Sequence, residues 1–160
     1  MSYRVTAVCL GNICRSPMAE AVLRARFDEA GLLGPVVVDS AGTAGWHEGG
    51  DADPRARRTL QQYGYPLQHR ARQFRPSWFR DVDLVLAMDQ SNYEDLSALA
   101  ERAGEANAAI HLLRSFDEGA DGLEVPDPYY GGEQGFTDVL RMIERASAGV
   151  VEHVRADLAV

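Results

Sequence analysis

Lysine is absent from this sequence of 160 residues, and all 16 of its basic side chains are arginines. The absence excludes lysine Schiff-base chemistry and the Gly-Lys-Ser or Gly-Lys-Thr loop of nucleotide-binding proteins. Cysteine is scarce as well, since only Cys9 and Cys14 are present. Two cysteines are too few for a disulfide scaffold of this length, and they form no Cys-x-x-Cys pair with a nearby histidine. We therefore expect neither a metal site nor a cofactor.

Long apolar runs are also missing, and none approaches the roughly 18 residues that a membrane span requires. The N-terminus enters an expected core strand almost at once, which leaves no room for the charged and apolar regions of a signal peptide. The formal net charge of −8 disfavours nucleic acid and anionic lipid as partners. These features predict one cytoplasmic, monomeric domain over residues 1–160. An anionic substrate would require strong local attraction.

Two hydrophobic periodicities alternate along the chain and predict four strands and four helices. The strands are expected at 3–9, 36–38, 84–87 and 110–113. The helices are expected from Ser16-Pro17 to about Gly31, with Ser16 as cap, from Asp53-Pro54 to about Gly64, from Asp89 to about Ala103, and along the apolar stripe from Phe136 to Val154. This alternation predicts an α/β fold of the doubly wound kind, with a parallel sheet flanked by helices. Ligands of such sheets lie beyond the carboxyl ends of the strands, where loops begin at Cys9, Ser40 and Asp89.

The segment from Cys9 to Pro17 joins the first strand to a helix N-terminus. Its backbone amides can turn inward and, with the positive helix end, form a cradle for an anion. The residues of this phosphate loop are Leu10, Gly11, Asn12, Ile13, Cys14 and Ser16. The cradle would stabilise Cys9 as a thiolate nucleophile, and the planar fork of Arg15 would bind two phosphoryl oxygens. The alternative is a chance spacing in which Cys9 is a small core residue.

These residues, together with Met18-Ala19-Glu20, resemble the low-molecular-weight protein tyrosine phosphatases. The resemblance continues in the family's order through Asp39 to Thr43, Asp53-Pro54-Arg55, His69 to Arg72 and Asp127 to Tyr130. It implies a four-stranded parallel sheet with the phosphate loop between strand 1 and helix 1. It also implies that the chain hydrolyses phosphotyrosine in proteins through a cysteinyl-phosphate, with Cys9 as nucleophile and Arg15 binding phosphate, without a metal.

Asp127 matches the family's general acid and base, and Pro126 and Pro128 stiffen its loop. The residues alone leave equally open that it is a turn aspartate. The resemblance implies that Ser16 hydrogen-bonds the thiolate, and that Asn12, Ser40 and His69 brace the phosphate loop. These last assignments rest on position in the family and not on spacing. Without the resemblance, His69 would be expected to be a surface histidine on a helix or loop.

Trp46 and Tyr129 match the walls of the family's substrate pocket, although Trp46 could instead pack on a neighbouring loop. Tyr130 completes a pair that resembles the family's regulatory phosphorylation sites. Ile13 occupies the position where arginine phosphatase relatives carry Thr, and so favours a phenyl ring. Cys14 is expected to form a reversible disulfide with Cys9, as the resemblance implies.

Four further possibilities concern function and one concerns Asp89. A protein-arginine phosphatase or an arsenate reductase could use the same fold, but an arsenate reductase needs further thiols, and both cysteines lie in the loop. A phosphoryl carrier or a silent phosphate-binding module would not need Asp127. Asp89 is expected to cap a helix rather than to pair with an arginine.

Overall fold

Four parallel strands form one sheet in the order β2-β1-β3-β4 in the computed structural model, which describes residues 2–159. The strands are β1 (Tyr3–Cys9), β2 (Val36–Gly42), β3 (Leu84–Ala87) and β4 (Ile110–Leu112). β1 lies in the centre and pairs along its whole length with β2 and over four residues with β3. This register brings the carboxyl ends of β1, β2 and β3 to the same edge of the sheet.

The helices are α1 (Arg15–Glu29), α2 (Pro54–Gln62), α3 (Gln90–Arg102) and α4 (Glu133–Leu158), and two short 3-10 turns cover Pro76–Arg80 and Leu113–Phe116. Side chains of β1 alternate between the two faces, as the period of a strand requires. Val5, Ala7 and Cys9 join the core under α1, α2 and α4, whereas Val8 joins the core under α3. Helices therefore cover both faces, and the predicted doubly wound α/β fold is confirmed.

Apolar periodicity predicts the last helix correctly. All of its expected core residues are completely buried: Phe136, Val139, Leu140, Ile143, Ala146, Val150 and Val154. The expected start signals are also correct for two other helices, because Asp53 caps α2 with Pro54 following it, and Asp89 caps α3. No helix of residues 2–159 combines the length and the apolar character needed to cross a membrane.

The predicted cap of the first helix is wrong. The helix begins at Arg15, its N-cap is Cys14, and no side chain caps it. Ser16 lies within the first turn, where its hydroxyl contacts other buried groups. The phosphate loop turns directly into α1, so the first amides of the helix remain available to an anion rather than to a capping side chain.

Strand β2 is longer than its three valines predict, since it continues to Gly42. Its second half, Asp39 to Gly42, is not a typical β sequence, but it pairs with β1 as far as Cys9. A Cβ at Gly42 would lie 2.7 Å from the Leu10 carbonyl oxygen, so only glycine permits this contact with the phosphate loop. At the other edge of the sheet, β4 ends at Leu112, one residue earlier than expected.

Candidate active site

A cavity of about 170 Å³ opens at the carboxyl edge of the sheet. Cys9 is buried at the end of β1 and lines this cavity. The other lining residues are Leu10, Gly11, Ile13, Cys14, Arg15, Trp46, His47, Asp127, Tyr129 and Tyr130. The structure thus places most of the expected site residues around one opening, although they are spread over more than a hundred positions of the chain. His47 is an addition that no sequence argument singled out.

The sulfur of Cys9 lies 3.0 Å from the hydroxyl oxygen of Ser16. Ser16 is completely buried, and its oxygen accepts a hydrogen bond of 2.8 Å from the side-chain amide of Asn12. Its single proton is therefore directed away from Asn12, and it can be donated either to the Ala41 carbonyl at 3.3 Å or to a thiolate at Cys9.

Asn12 holds the phosphate loop in an unusual conformation. Its φ of 57° lies in the left-handed region, which asparagine tolerates better than most residues. Its amide nitrogen also donates to the Ser40 hydroxyl at 3.0 Å, and its side-chain oxygen accepts from the Arg72 backbone amide at 3.0 Å. The carbonyl of Asn12 accepts from Nε2 of His69 at 2.7 Å. Asn12, Ser40 and His69 are therefore brought together, as the expected bracing requires.

Two further residues support this network, and neither was singled out from the sequence. The Ser40 hydroxyl donates to a buried carboxylate oxygen of Glu20 at 2.7 Å, and burial raises the pKa of Glu20. The guanidinium of Arg72 donates to the Ser40 carbonyl at 3.0 Å. Glu20 follows Ser16 by four residues and so lies on the same face of α1. That spacing, and its place in the matched Met18-Ala19-Glu20 segment, are the signals in the sequence that point to it.

Arg15 is buried, and its guanidinium is held by several oxygens. Nη1 donates to Asp89 at 2.6 Å and to the Val125 carbonyl at 3.0 Å, while Nη2 lies 3.7 Å from Oδ2 of Asp127. Burial alone would lower the pKa of Arg15, but Cys9, Asp89 and Asp127 raise it overall. The guanidinium is thus a fixed positive charge beside the sulfur.

Asp89 performs both of the functions between which the sequence left a choice. Its Oδ1 accepts from the Asn92 amide at 2.8 Å and caps α3, while Oδ2 binds Arg15. The preference for capping alone is therefore corrected. The two oxygens of one carboxylate face a helix end and a guanidinium at the same time, which sequence spacing could not reveal.

Asp127 lies at the rim of the cavity, near the guanidinium of Arg15. Its carboxylate is partly exposed, and Oδ1 accepts a hydrogen bond of 3.1 Å from the Tyr129 amide. The arrangement combines a buried sulfur, a fixed guanidinium and a solvent-accessible carboxyl group around one space. These groups match the requirements of phosphoryl transfer to and from a nucleophile.

A family model described as low molecular weight phosphotyrosine protein phosphatase matches residues 4–160. The chain belongs to this family. A low molecular weight protein-tyrosine-phosphatase of Streptomyces coelicolor is 55% identical over 157 residues, which cover 97% of this chain and 95% of the relative.

Solved structures agree with the family assignment. A protein tyrosine phosphatase of Entamoeba histolytica, with Hepes in its active site, superposes with a TM-score of 0.91 and 37% identity over 98% of this chain and 99% of its own. A Drosophila arginine phosphatase superposes with a TM-score of 0.88 and 32% identity, and the match covers 94% of this chain and 96% of its own. The fold is thus shared by proteins whose names specify different phosphorylated side chains.

The mouth of the phosphatase cavity is aromatic. Trp46 is 74% exposed and Tyr130 is 91% exposed, while Tyr129 is less exposed and meets Tyr130 edge to face with ring centroids 5.0 Å apart. Trp46 therefore lies at the opening, and its exposure does not favour the alternative in which it is packed on a neighbouring loop. Ile13 lies deeper and contributes an aliphatic surface to the same cavity.

Cys14 differs from Cys9 although both are free, buried and adjacent to the cavity. Burial raises the pKa of Cys14, and the negative charges of Asp53, Cys9 and Asp127 raise it further. Cys14 is therefore a neutral thiol at physiological pH. Among residues 2–159, no group of three or more histidine, cysteine, aspartate or glutamate side chains is arranged to hold a metal ion.

Proposed function

We propose that this member of the family hydrolyses phosphotyrosine in proteins, with Cys9 as nucleophile, Arg15 as phosphate ligand and Asp127 as general acid and base. The observation that carries the proposal is the arrangement of these three groups around one cavity. The Cys9 sulfur lies 3.0 Å from the Ser16 hydroxyl oxygen, and Nη2 of Arg15 lies 3.7 Å from Oδ2 of Asp127. The family and its tyrosine phosphatase relatives support the same chemistry.

In the first step, the Cys9 thiolate attacks phosphorus and the bond to the tyrosine oxygen breaks. The loop amides and Arg15 bind the phosphoryl oxygens, and since Asp89 and Val125 already hold the guanidinium, it needs little reorganisation. Protonated Asp127 donates its proton to the departing phenolate. The products of this step are tyrosine and a cysteinyl-phosphate.

In the second step, water attacks phosphorus and the sulfur–phosphorus bond breaks. The Asp127 carboxylate, now ionised, takes a proton from that water and so returns to its acid form. The Ser16 hydroxyl donates to the sulfur as Cys9 leaves as a thiolate. Inorganic phosphate is released, and the enzyme is ready for another substrate.

Phosphotyrosine fits the cavity better than phosphoarginine does. Ile13 and Tyr129 offer apolar and aromatic surfaces to a phenyl ring, and Trp46 extends them at the opening. The aliphatic side chain of Ile13 has no acceptor for a guanidinium. An arsenate reductase is disfavoured because the chain has no third cysteine to relay electrons.

Several finer features belong to the same proposal. The partners are phosphotyrosine-containing proteins and neither nucleic acid nor membrane, the enzyme acts as a monomer, and its location is the cytoplasm, where thiols stay reduced. We also propose that Cys9 and Cys14 form a reversible disulfide that protects the nucleophile. Tyr129 and Tyr130 are proposed as phosphorylation sites, since both lie at the exposed mouth of the cavity.

Turnover of p-nitrophenyl phosphate in the presence of a metal chelator tests the proposal. We expect activity with an acidic optimum, no activity in Cys9→Ser, and a loss of about a thousandfold in Arg15→Ala because a positioned charge is removed. Activity that depends on added metal, or that survives in Cys9→Ser, would contradict the mechanism. A phosphotyrosine peptide should be hydrolysed faster than a phosphoarginine peptide, and the reverse order would reject the assigned substrate.

Leaving-group dependence tests the acid. Asp127→Ala should be slow chiefly with phenyl phosphate, whose phenolate needs a proton, and less affected with p-nitrophenyl phosphate, whose leaving group is stable as an anion. Equal losses with both substrates would mean that Asp127 is not the acid.

A further inference from the structure

Arg55 is the last residue of the Asp-Pro-Arg motif, which the mechanism above does not use. It lies in the first turn of α2, and its guanidinium reaches the loop that carries Asp127. Nη2 donates to the Tyr129 carbonyl at 2.9 Å, and Nη1 donates to the Gly131 carbonyl at 3.1 Å. A planar guanidinium can address two backbone acceptors at a fixed spacing, which lysine cannot do.

Asp53 fixes the other side of this guanidinium. Its side chain is only 8% exposed, and it accepts from Nε of Arg55 at 3.1 Å and from Nη2 at 3.0 Å. Although burial alone would raise the pKa of Asp53, the hydrogen bonds from Arg55 lower it overall, so the carboxylate is ionised. The Arg55 guanidinium also lies 4.7 Å from the Phe136 ring centroid. Its position is therefore determined on several sides.

Asp53 is itself attached to the phosphate loop, because its backbone amide donates to the Ile13 carbonyl at 2.8 Å. A continuous path of hydrogen bonds thus runs from Ile13 through Asp53 and Arg55 to the carbonyls of Tyr129 and Gly131. It connects the loop that holds phosphate with the loop that holds Asp127. Arg15 makes a second connection between these two loops, through the Val125 carbonyl and the Asp127 carboxylate.

The path ends next to the general acid. The Tyr129 amide donates to Oδ1 of Asp127, and the Tyr129 carbonyl is the group that Arg55 holds. On the preceding side of Asp127, the Val125 carbonyl accepts from Arg15 and the Val125 amide donates to Met88. Arg55 supplies the corresponding restraint on the following side. Among residues 2–159, it is the side chain that donates to the backbone carbonyls of this part of the loop.

We propose that Arg55 is a positioning residue that orients Asp127 for protonation of the leaving group. The proposal rests on the proposed function, because it assumes that Asp127 is the acid. Its effect on the reaction passes through the backbone of Tyr129, whose carbonyl binds Arg55 and whose amide binds Asp127, and not through contact with substrate. If Arg55 were only structural, its loss would slow all substrates equally.

The test compares Arg55→Met with Arg58→Met. Methionine keeps an apolar stem beside Phe136 but removes every hydrogen bond to the acid loop. Arg58 lies on the same helix, is 59% exposed and pairs with Glu133, which is already in α4 and beyond that loop. The measurement is kcat/KM for p-nitrophenyl phosphate and for phenyl phosphate. The ratio of the two values within one variant does not depend on how much of that protein is folded.

We expect Arg55→Met to lower kcat/KM for phenyl phosphate about tenfold more than for p-nitrophenyl phosphate, a part of the 100-fold or greater effect of a general acid. Arg58→Met should keep the wild-type ratio. Arg55→Lys should fall between, since it keeps the charge near Asp53 but not the paired donors. In Asp127→Ala, the further change Arg55→Met should leave the ratio unchanged, because the acid is already missing.

The outcomes separate this inference from the function on which it rests. A wild-type ratio in Arg55→Met, together with an altered ratio in Asp127→Ala, overturns the inference and leaves the proposed function intact. A ratio changed equally in Arg55→Met and Arg58→Met also overturns it. An unaltered ratio in Asp127→Ala overturns the acid assignment itself, and the inference with it.

Discussion

The two cysteines show how strongly surroundings determine the chemistry of one side-chain type. Cys9 ends a strand, faces the helix N-terminus and has the Ser16 hydroxyl 3.0 Å from its sulfur. Cys14 lies beside the buried carboxylate of Asp53, and burial together with that charge raises its pKa. A thiolate is the form of cysteine that peroxide oxidises and that attacks phosphorus. Oxidation should therefore begin at Cys9, and the Cys14 thiol should then react with the oxidised sulfur to form the disulfide.

Mild peroxide treatment followed by peptide mass spectrometry tests the proposed redox protection. We expect a Cys9–Cys14 disulfide, with activity restored by a dithiol. In Cys14→Ser, which removes the second thiol, Cys9 should instead proceed to the sulfinic acid and lose activity irreversibly. Wild-type protein that carries sulfinic acid at Cys9 and no disulfide would show that Cys14 gives no protection.

At the scale of the secondary-structure element, Asp89 connects a helix to the Arg15 guanidinium. The capping of α3 and the ion pair with Arg15 use different oxygens of the same carboxylate. Asparagine can replace an aspartate cap with little loss of stability. However, an amide nitrogen in place of Oδ2 would face the Arg15 donors, so Arg15 would lose its charged partner.

We therefore expect Asp89→Asn to change the free energy of unfolding by less than about 1 kcal/mol. Its kcat/KM should nevertheless fall at least tenfold, because the guanidinium is no longer fixed. Asn92→Ala is the matched control, since it breaks the reciprocal cap of α3 without contacting Arg15. It should cost stability and preserve kcat/KM. Full activity in Asp89→Asn would show that the ion pair is not needed.

The elements also show where sequence patterns are sufficient and where they fail. Apolar periodicity predicted α4, and a capping aspartate predicted the starts of α2 and α3. These predictions are correct because the signals depend on residues that are close together in the sequence. The same reasoning failed at Ser16, since a serine followed by proline is typical of a cap, and here the hydroxyl is used by Cys9 and Asn12 instead. β2 extends beyond its valines because pairing with β1 overrides its weak local preference.

At the scale of the whole molecule, the site is assembled from segments that are far apart in the chain. The resemblance named Cys9, Arg15 and Asp127, and the structure places all three at one cavity. The supporting contacts of Glu20, Arg72 and Arg55 were not predicted. Each depends on which group lies opposite in the folded protein: Glu20 meets the Ser40 hydroxyl, and the two arginines meet backbone carbonyls. The motifs that carry the resemblance include these residues but do not reveal what they contact.

The net charge of the chain likewise does not predict the charge of the groups that face the cavity. The chain carries a formal charge of −8, yet the cavity is lined by Arg15 and by the N-terminal end of α1. Burial makes this local field stronger than that of exposed charges, which solvent and salt screen. An acidic protein can therefore bind an anion where the Arg15 guanidinium and the loop amides contact that anion directly.

Rapid quenching of Asp127→Ala during turnover of p-nitrophenyl phosphate most directly tests whether Cys9 is the nucleophile. The variant lacks the base that activates water, so the intermediate should accumulate. We predict a burst of nitrophenol and one phosphoryl group attached to the peptide that contains Cys9, with none when Cys9→Ser is added. A burst with the phosphoryl group on another residue, or steady turnover with no phosphorylated Cys9, would contradict the account.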